Sequence, residues 1–549
     1  MIIEFLYGII LFLFANYFFI RYGVLNETMQ LAYKNVVIFI FLTINVGYLF
    51  IKNYITREPS KKYKIILVIC LIASAIISRF HLLSKTAYFV NDQGRDLMVL
   101  YQMLVNHKFT LIGPATSIAG HFGNIYFGPY YYYFLLPFFA ISKNPVFLTG
   151  IFPTLSIIGL LLVFKVKELH FWEKIFFAVL IISSWYSLFY SRFLWNLNLA
   201  FLLSFILFLL FLINKEKIKS SWLLILLFGF IAGAVMQIHY GMIFLYIAMI
   251  YFFREKIRNI FLYLLGIIIS FFPFALFDYR HGGVIINNLF NIISNHPAGS
   301  QGSFLAIFQN IYDFYLFPFL NVPAFIKIII AIVIYLGTMT LLFKKKTELS
   351  RFLLIALIIF PISYFIFKRT FDYYLACFFI WFYLGLSLAL YSLFQKKGAI
   401  KHACLVFIFF FFIINLIKYF SLPSNVFSIQ IQKNIAGTID YYEKKWINDE
   451  LNKGHQIKEP GKIQISIYPH QDDVKGVEYI LKTEYNLTVV SQNEKRYLVC
   501  YFDYCKTEQK MQGKELKTYL SLPSGRQIIG DDIVLLYDEK KGVKVYVFR

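Results

Sequence analysis

The 549-residue sequence has little charge, few acidic residues and few cysteines. It holds 30 acidic against 53 basic residues, charged residues make up 15% of the chain, and there are 5 cysteines. So few cysteines exclude a scaffold built on disulfides. The sequence also lacks a phosphate-cradling glycine-rich loop, a Cys/His metal spacing and a nucleophile elbow. These absences argue against an ATP-driven pump and against a hydrolase.

Apolar residues dominate what remains. Hydrophobic residues are 59% of the chain, aromatic residues are 20%, and the mean hydropathy is +0.64. Apolar runs of roughly 17–25 residues, the length that crosses a bilayer as a helix, recur as far as about residue 420. We therefore predict a polytopic membrane protein with about 13 transmembrane helices. The predicted spans are 2–20, 35–53, 64–82, 146–165, 172–189, 199–213, 221–238, 241–253, 259–277, 324–343, 351–367, 371–393 and 402–420.

The formal net charge of +23 indicates membrane topology in this sequence, and we predict no nucleic-acid partner. The basic residues form short runs at every second junction between spans, as cytoplasmic connections do. This pattern predicts a multi-pass protein of the plasma membrane with a cytoplasmic N-terminus and an extracytoplasmic tail from Ser421 onward. A further apolar stretch at 130–141 would invert the pattern if it crossed, so we assign it to the membrane interface.

The composition divides the chain into three parts. Residues 1–63 form two additional N-terminal transmembrane helices, and 64–420 form the main membrane domain with outer loops at 83–145 and 278–323. Residues 421–549 are more polar and predict a small soluble α/β domain. The predicted fold is thus an all-α polytopic membrane protein with a small C-terminal α/β extracytoplasmic domain.

The tail carries local patterns of its own. Cys500 and Cys505 lie close together in it, and both a disulfide and two free thiols are compatible with their spacing. A hairpin turn is predicted at Asp538–Val543. The predicted helices are 431–452 and 473–484, and the predicted strands are 463–467, 487–490, 497–502 and 533–537.

One outer loop gathers charge beside apolar helices. Two carboxylates and a guanidinium fall within five residues, at Asp92, Arg95 and Asp96. With an N-cap at Asn91 or Asp92 and a helix to about Asn106, the three side chains share one helix face. A carboxylate at a helix start is held ionised by the helix dipole and can act as a general base. An ordinary N-cap with a surface ion pair fits these residues equally well.

The Asp-Gln-Gly-Arg-Asp sequence at 92–96 resembles the Asp-(Glu/Gln)-x-Arg opening of the first outer loop in class C glycosyltransferases. It is most similar to bacterial relatives of dolichyl-phosphate-mannose protein mannosyltransferases and of aminoarabinose transferase. The resemblance covers most of 64–420, because other segments follow in the family's order. These segments are 113–117, 128–133, 190–196, 237–240, 277–281 and 371–375.

The resemblance implies an enzyme that moves a sugar from a polyprenyl-phosphate donor to an acceptor hydroxyl at the outer membrane face, in the manner of a mannosyltransferase. The acceptor is a protein, a lipid or a glycan, and the donor's tail enters from the bilayer. Asp92 would deprotonate the acceptor, which attacks the anomeric carbon and inverts it. The implied ligands of the donor phosphate are Arg95, Arg192, Arg280, Lys368 and Arg369. The implied contacts to the sugar or acceptor are Asp96, Trp195, Asn196, His239, Asp278, His281 and Tyr373.

The sequence departs from the family at one turn. Relatives carry a second acid around Ser191–Asn198, where this chain has Asn196 and Asn198. An amide cannot act as a base, although it can bind a sugar hydroxyl. We expect no protein metal ligands and no required cofactor, and we leave a divalent metal ion open.

Several of these residues also have an ordinary structural explanation. His239 can simply bond to a neighbouring carbonyl at a helix end, Trp195 can anchor in the aromatic belt, and Arg192 and Arg280 can contact lipid head groups. Two other classes of protein also fit the composition. A flippase or transporter of lipid-linked saccharides predicts charges along the helices, and a glycan polymerase or ligase with a diphosphate donor predicts release of a lipid diphosphate.

Overall fold

The computed structural model describes the chain from residue 60 onward, with gaps. The predicted spans 2–20 and 35–53 lie outside the described residues. The described ranges are 60–89, 91–116, 125–294, 304–318, 322–367, 372–396, 399–420, 428–430, 432–437, 439–440, 444, 462–468, 474–489, 496–501, 533–538 and 543–548.

Helices make up the membrane domain. The first are α1 (Lys61–Phe80), α2 (Leu83–Thr86), α3 (Asn91–Asn106), α4 (Tyr130–Ile141), α5 (Pro145–Val163), α6 (Phe171–Ser183), α7 (Trp185–Tyr190), α8 (Asn196–Ile213), α9 (Lys215–Ser220) and α10 (Trp222–Ile238). Then come α11 (Ile243–Met249), α12 (Ile257–Ser270), α13 (Phe272–Arg280), α14 (Val284–Ser294), α15 (Phe304–Asn310), α16 (Ala324–Lys345), α17 (Glu348–Phe367), α18 (Phe379–Phe394) and α19 (Ala399–Phe420). Short 3₁₀ helices lie at Tyr240–Met242, Ile250–Phe253 and Asp372–Cys377, and a π-helix lies at Ile311–Leu316.

Four of the described helices are long and apolar enough to cross a membrane by themselves, namely α1, α5, α8 and α16. A fifth candidate is the pair α12 and α13, which bends by 44° at its break. Shorter apolar helices lie at Tyr130–Ile141, Trp222–Ile238, Tyr240–Phe253, Phe379–Phe394 and Ala403–Phe412. The membrane character predicted from the apolar runs is therefore present, whereas the figure of about 13 spans stays a prediction.

Close helix packing depends on small residues between α10 and α12. A β-carbon on Gly229 would lie 2.2 Å from the carbonyl oxygen of Tyr263, and one on Gly266 would lie 2.2 Å from that of Leu226. Without a hydrophobic driving force inside a bilayer, this backbone approach is what gives two helices their contact area. Elsewhere the core is aromatic, with Tyr186 and Phe379 fully enclosed and their ring centroids 5.5 Å apart.

The outer loops are more regular than the sequence analysis expected. The helix predicted over 91–106 is confirmed as α3. The region 278–323, predicted as a loop, carries α14, α15 and the π-helix in its described parts. Gly282 and Gly283 adopt positive φ angles of 68° and 76° and separate α13 from α14.

The C-terminal region contains a sheet and a helix. The helix α20 (Val474–Glu484) lies between β1 (Lys462–Tyr468) and β2 (Thr488–Val489), and β3 is Arg496–Tyr501. The strands β4 (Ile533–Asp538) and β5 (Val543–Phe548) form the antiparallel pair that the turn chemistry predicted. The sheet order is β2-β1-β3-β5-β4, with β1 parallel to both of its neighbours. Cys505 lies outside the described residues, so pairing with Cys500 stays open.

Candidate active site

The start of α3 carries the charged cluster. Asp92 lies in the first helical turn, and its Oδ1 is 2.8 Å from Nη1 of Arg95. The Asp92 side chain is 39% exposed and that of Arg95 is 36% exposed, so both reach the surface of the protein. A negative charge in the first turn is favoured by the unpaired backbone amides there. Asp92 is thus an ionisable group with one open side.

Asp96 lies one turn further and is completely enclosed. Its Oδ1 accepts from Nε of Arg95 at 3.0 Å and from Nη2 at 2.9 Å. The Tyr132 hydroxyl of α4 donates to the same oxygen at 3.1 Å. Burial raises the pKa of Asp96 to about 7, and the neighbouring Asp92 adds to this while Arg95 opposes it. The enclosed Asp96 carboxyl is therefore better placed to hold Arg95 than to contact a sugar.

The segment before α4 folds back across the end of α10. Its two arms pair at Ala115 and Tyr126, and Phe127 stacks on His239 with ring centroids 5.1 Å apart. The amide of Gly128 then donates to the Gln237 carbonyl oxygen at 2.9 Å. This contact places the start of the tyrosine-rich helix α4, which carries Tyr132, beside the end of α10 and His239.

Arg192 connects the turn after α7 to the segment between α1 and α3. Its Nη2 donates to the Thr86 hydroxyl at 2.7 Å and to the carbonyl oxygen of His81. Burial, together with the charge of Arg192, lowers the pKa of His81 to about 4. Arg192 therefore anchors the short helix α2, which leads into α3, and its predicted role at the donor phosphate stays a prediction.

The asparagines and the tryptophan of the same turn also bond to protein groups. Asn196 Nδ2 donates to the Ile238 carbonyl oxygen at 2.9 Å, and Asn198 Nδ2 donates to that of Phe193 at 2.9 Å. The Trp195 ring stacks near Phe193, with centroids 5.8 Å apart. Among the described residues, the buried Oδ1 of Asn198 has no hydrogen-bond partner. The turn thus joins the 81–86 segment to the end of α10.

His239 is buried at that end. Its Nδ1 accepts from the Gly241 amide at 3.2 Å, and Cys377 Sγ lies 3.8 Å away. Burial lowers the pKa of His239 to about 3, so the ring is neutral at neutral pH. This bond from a backbone amide differs from the ordinary interpretation of His239, which was a bond between the ring and a neighbouring carbonyl oxygen.

The residues around 280 divide into a structural and an exposed group. Asp278 is buried and accepts from the Ile285 amide at 2.6 Å, which caps the start of α14. Arg280 and His281 are exposed, and the His281 ring stacks on Phe277 at 4.0 Å. Arg280 therefore remains available to an anion at the surface.

The remaining predicted site residues lie outside the described ranges or just inside them. Lys368 and Arg369 lie outside the described residues, and the Tyr373 backbone lies in the 3₁₀ helix Asp372–Cys377. Within the described ranges, no three His, Cys, Asp or Glu side chains come together as a metal site would require.

Sequence reasoning missed four residues at or near the cluster. Tyr132 lies in a quoted motif, but nothing in the sequence marks which of four tyrosines meets Asp96. Gly94 lies against the backbone of α20, and Tyr479 of α20 donates to the Lys143 carbonyl oxygen at 2.6 Å.

Arg79 is 1% exposed near the end of α1 and donates to Ser156 Oγ at 2.9 Å. An arginine inside an apolar span indicates a buried polar contact, and the sequence-based predictions did not include it.

Comparisons with known proteins give a fold and no sequence family. No protein-family model matches the chain, and no curated protein does. Among solved structures, the chain shares the fold of ArnT, a protein of the kind that the motifs had indicated.

The chain is similar to ArnT from Cupriavidus metallidurans. The apo structure matches with a TM-score of 0.52 and 8% identity, over 87% of this chain and 97% of that chain. The same protein bound to undecaprenyl phosphate matches with a TM-score of 0.51, 8% identity and the same coverage. The Archaeoglobus fulgidus oligosaccharyltransferase, in complex with Zn and sulfate, has a TM-score of 0.41 at 14% identity, over 75% of this chain and 61% of that chain. At these identities the ArnT match describes the fold alone, and the oligosaccharyltransferase match carries no argument.

Proposed function

We propose that this chain is a membrane glycosyltransferase that moves a sugar from a polyprenyl-phosphate donor to an acceptor hydroxyl at the outer membrane face. Asp92 acts as the general base, and the anomeric centre is inverted. The N-terminus is cytoplasmic, the C-terminal domain is extracytoplasmic, and the acceptor is a protein, a lipid or a glycan. ArnT, whose fold this chain shares, is known bound to undecaprenyl phosphate, which supports a lipid-phosphate donor.

The carrying observation is the half-exposed Asp92 carboxylate, bound to Arg95 at the start of α3. A base needs an open side to receive a proton and a fixed neighbour to orient it. Asp92 has both, since Arg95 is its only ionic partner in the part of the chain that the structure describes. Among the described acids of this outer cluster, Asp96 is enclosed and Asp92 is the one within reach of a hydroxyl.

The leaving group is a lipid monophosphate, so the site must stabilise developing negative charge. Arg95 borders Asp92, and Arg280 is exposed and lies on the outer side in the proposed topology. Lys368 and Arg369 complete the proposed set of cations. These charges are permanent at neutral pH, and the arginine fork suits phosphate oxygens. We propose no required cofactor, because a monophosphate needs a bridging divalent ion less than a diphosphate does.

The test is donor consumption by the purified protein in lipid vesicles, with membrane extract as the source of acceptor. A panel of polyprenyl-phosphate sugars is offered, and mass spectrometry follows each donor. We expect one donor to be consumed by the wild-type protein and not by Asp92→Asn, which keeps the shape and removes the base. If no donor is consumed, or if the variant matches the wild type, the proposal is wrong.

A further inference from the structure

We propose that Asp96 and Tyr132 are positioning residues that act through Arg95 to fix where Asp92 presents its carboxylate. The proposal rests on the proposed function for its catalytic consequence. Its structural basis is the unbroken row of contacts from Tyr132 to Asp96, Arg95 and Asp92. Neither Asp96 nor Tyr132 touches substrate in this account.

The first step is the division of the Arg95 guanidinium between two acids. Nε and Nη2 bind Asp96, and Nη1 binds Asp92. The guanidinium is planar and its donors lie in a fixed fork. Once two of its nitrogens are held by Asp96, the direction of the third is set. The position of the Asp92 carboxylate then follows from the position of Asp96.

The second step is the fixation of Asp96 itself. Its side chain is fully enclosed, and the Tyr132 hydroxyl donates to the oxygen that Arg95 also binds. Tyr132 is only 3% exposed and belongs to α4, so the bond joins two helices. The other oxygen, Oδ2, has no partner among the described residues. Asp96 is thus held on one side, and a buried hydrogen bond of this kind is stronger than one in water.

The third step is the charge of Asp96. The titratable groups that face it are Arg95 and Asp92 on its own helix and Tyr131 and Tyr132 on α4. From α20, the exposed Lys475 is paired with the partly buried Glu478 at 2.7 Å. Because burial raises the pKa of Asp96 to about 7, the carboxyl gains its charge near neutral pH. Below that pH Arg95 keeps Asp92 as its single anionic partner, which lowers the basicity of Asp92.

Kinetics of Asp96→Asn and Tyr132→Phe test the proposal in the full-length protein. We expect kcat to fall about 10- to 100-fold in Asp96→Asn and about 3- to 10-fold in Tyr132→Phe, with donor KM changed less than about twofold. In the wild type kcat should rise through about pH 7. Asp96→Asn should lose this rise, and Tyr132→Phe should move it to higher pH because the anion loses a donor. Tyr133→Phe is the matched control, since its hydroxyl binds the Thr110 carbonyl oxygen instead.

A second measurement does not need turnover. Carbodiimide labelling of Asp92 at pH 8, where wild-type Asp96 carries its charge, is read by peptide mass spectrometry. It should be about threefold slower or more in Asp96→Asn, where Arg95 pairs with Asp92 alone. Unchanged labelling would overturn the proposal. So would an unchanged pH profile, or a loss that falls on donor KM with kcat intact. Failure of the wild type to use any donor refutes the proposed function instead, and the labelling still decides the role of Asp96.

Discussion

The backbone of Gly94 lies directly against the backbone of Lys475. A β-carbon on Gly94 would lie 2.1 Å from the Lys475 carbonyl oxygen and 2.4 Å from the Gly476 amide nitrogen. The first turn of α3, which carries the charged cluster, is therefore packed against the C-terminal helix α20. The buried Tyr479 ring extends this contact, at 6.1 Å from the ring of Phe89.

This contact predicts that Gly94→Ala loosens the C-terminal domain. No real side chain tolerates such an approach to backbone atoms, so α20 must move away. We expect limited proteolysis of the protein in vesicles to release the tail several-fold faster than in the wild type. Gly337→Ala is the control, because a β-carbon there meets nothing within 4 Å. Equal cleavage of Gly94→Ala and wild type would show that the contact does not hold the tail.

Arg192 gives a prediction about stability. Arg192→Gln removes the bonds to Thr86 and to the His81 carbonyl oxygen, and it leaves these partly buried groups without that donor. We expect a loss of about 1–3 kcal/mol in the free energy of unfolding, seen as a lower midpoint in a thermal unfolding scan. The exposed Arg280 provides the comparison, and Arg280→Gln should unfold at the wild-type temperature. A wild-type midpoint for Arg192→Gln would contradict the anchoring role.

The helix α3 and its shared charged face were predictable, because an N-cap, an i,i+3 spacing and an i,i+4 spacing are local signals. The strands β4 and β5 were predictable for the same reason. The burial of Asp96 was not predictable, since it depends on Tyr132, 36 positions away, and on how α4 packs. The approach of Gly94 to Lys475 joins residues from two predicted domains, and no local pattern encodes it.

The helices within 278–323 were not predicted, for a different reason. Gly282 and Gly283 do break the chain, as their positive φ angles show, but they break it between two helices. Asp278 then caps the second helix through the Ile285 amide. An acid near a glycine pair is a capping signal, and the sequence analysis assigned that acid to substrate instead.

Asp96 also predicts how stability depends on pH. Its pKa in the folded protein is raised from 3.8 to about 7, so between about pH 4 and pH 7 the folded chain holds a proton that the unfolded chain has lost. Stability from this group is therefore fully present below about pH 4, falls as pH rises to about 7, and levels off above that. We expect the thermal midpoint to drop from pH 5 to pH 7 in the wild type and to drop less in Asp96→Asn.

The control for this series is Asp313→Asn, which removes a carboxylate paired with Lys327 nearer the surface. It should keep the wild-type dependence on pH. If Asp96→Asn also kept it, the buried carboxyl would not be the titrating group.

The most direct test of the central claim is the identity of the lipid left after turnover. A polyprenyl-phosphate sugar labelled in both sugar and lipid is given to the protein in vesicles, and the lipid product is analysed by mass spectrometry. We expect a free polyprenyl monophosphate in an amount equal to the sugar transferred, and we expect neither product from Asp92→Asn. An intact donor recovered on the opposite leaflet, or turnover only of a diphosphate donor with release of lipid diphosphate, would contradict it.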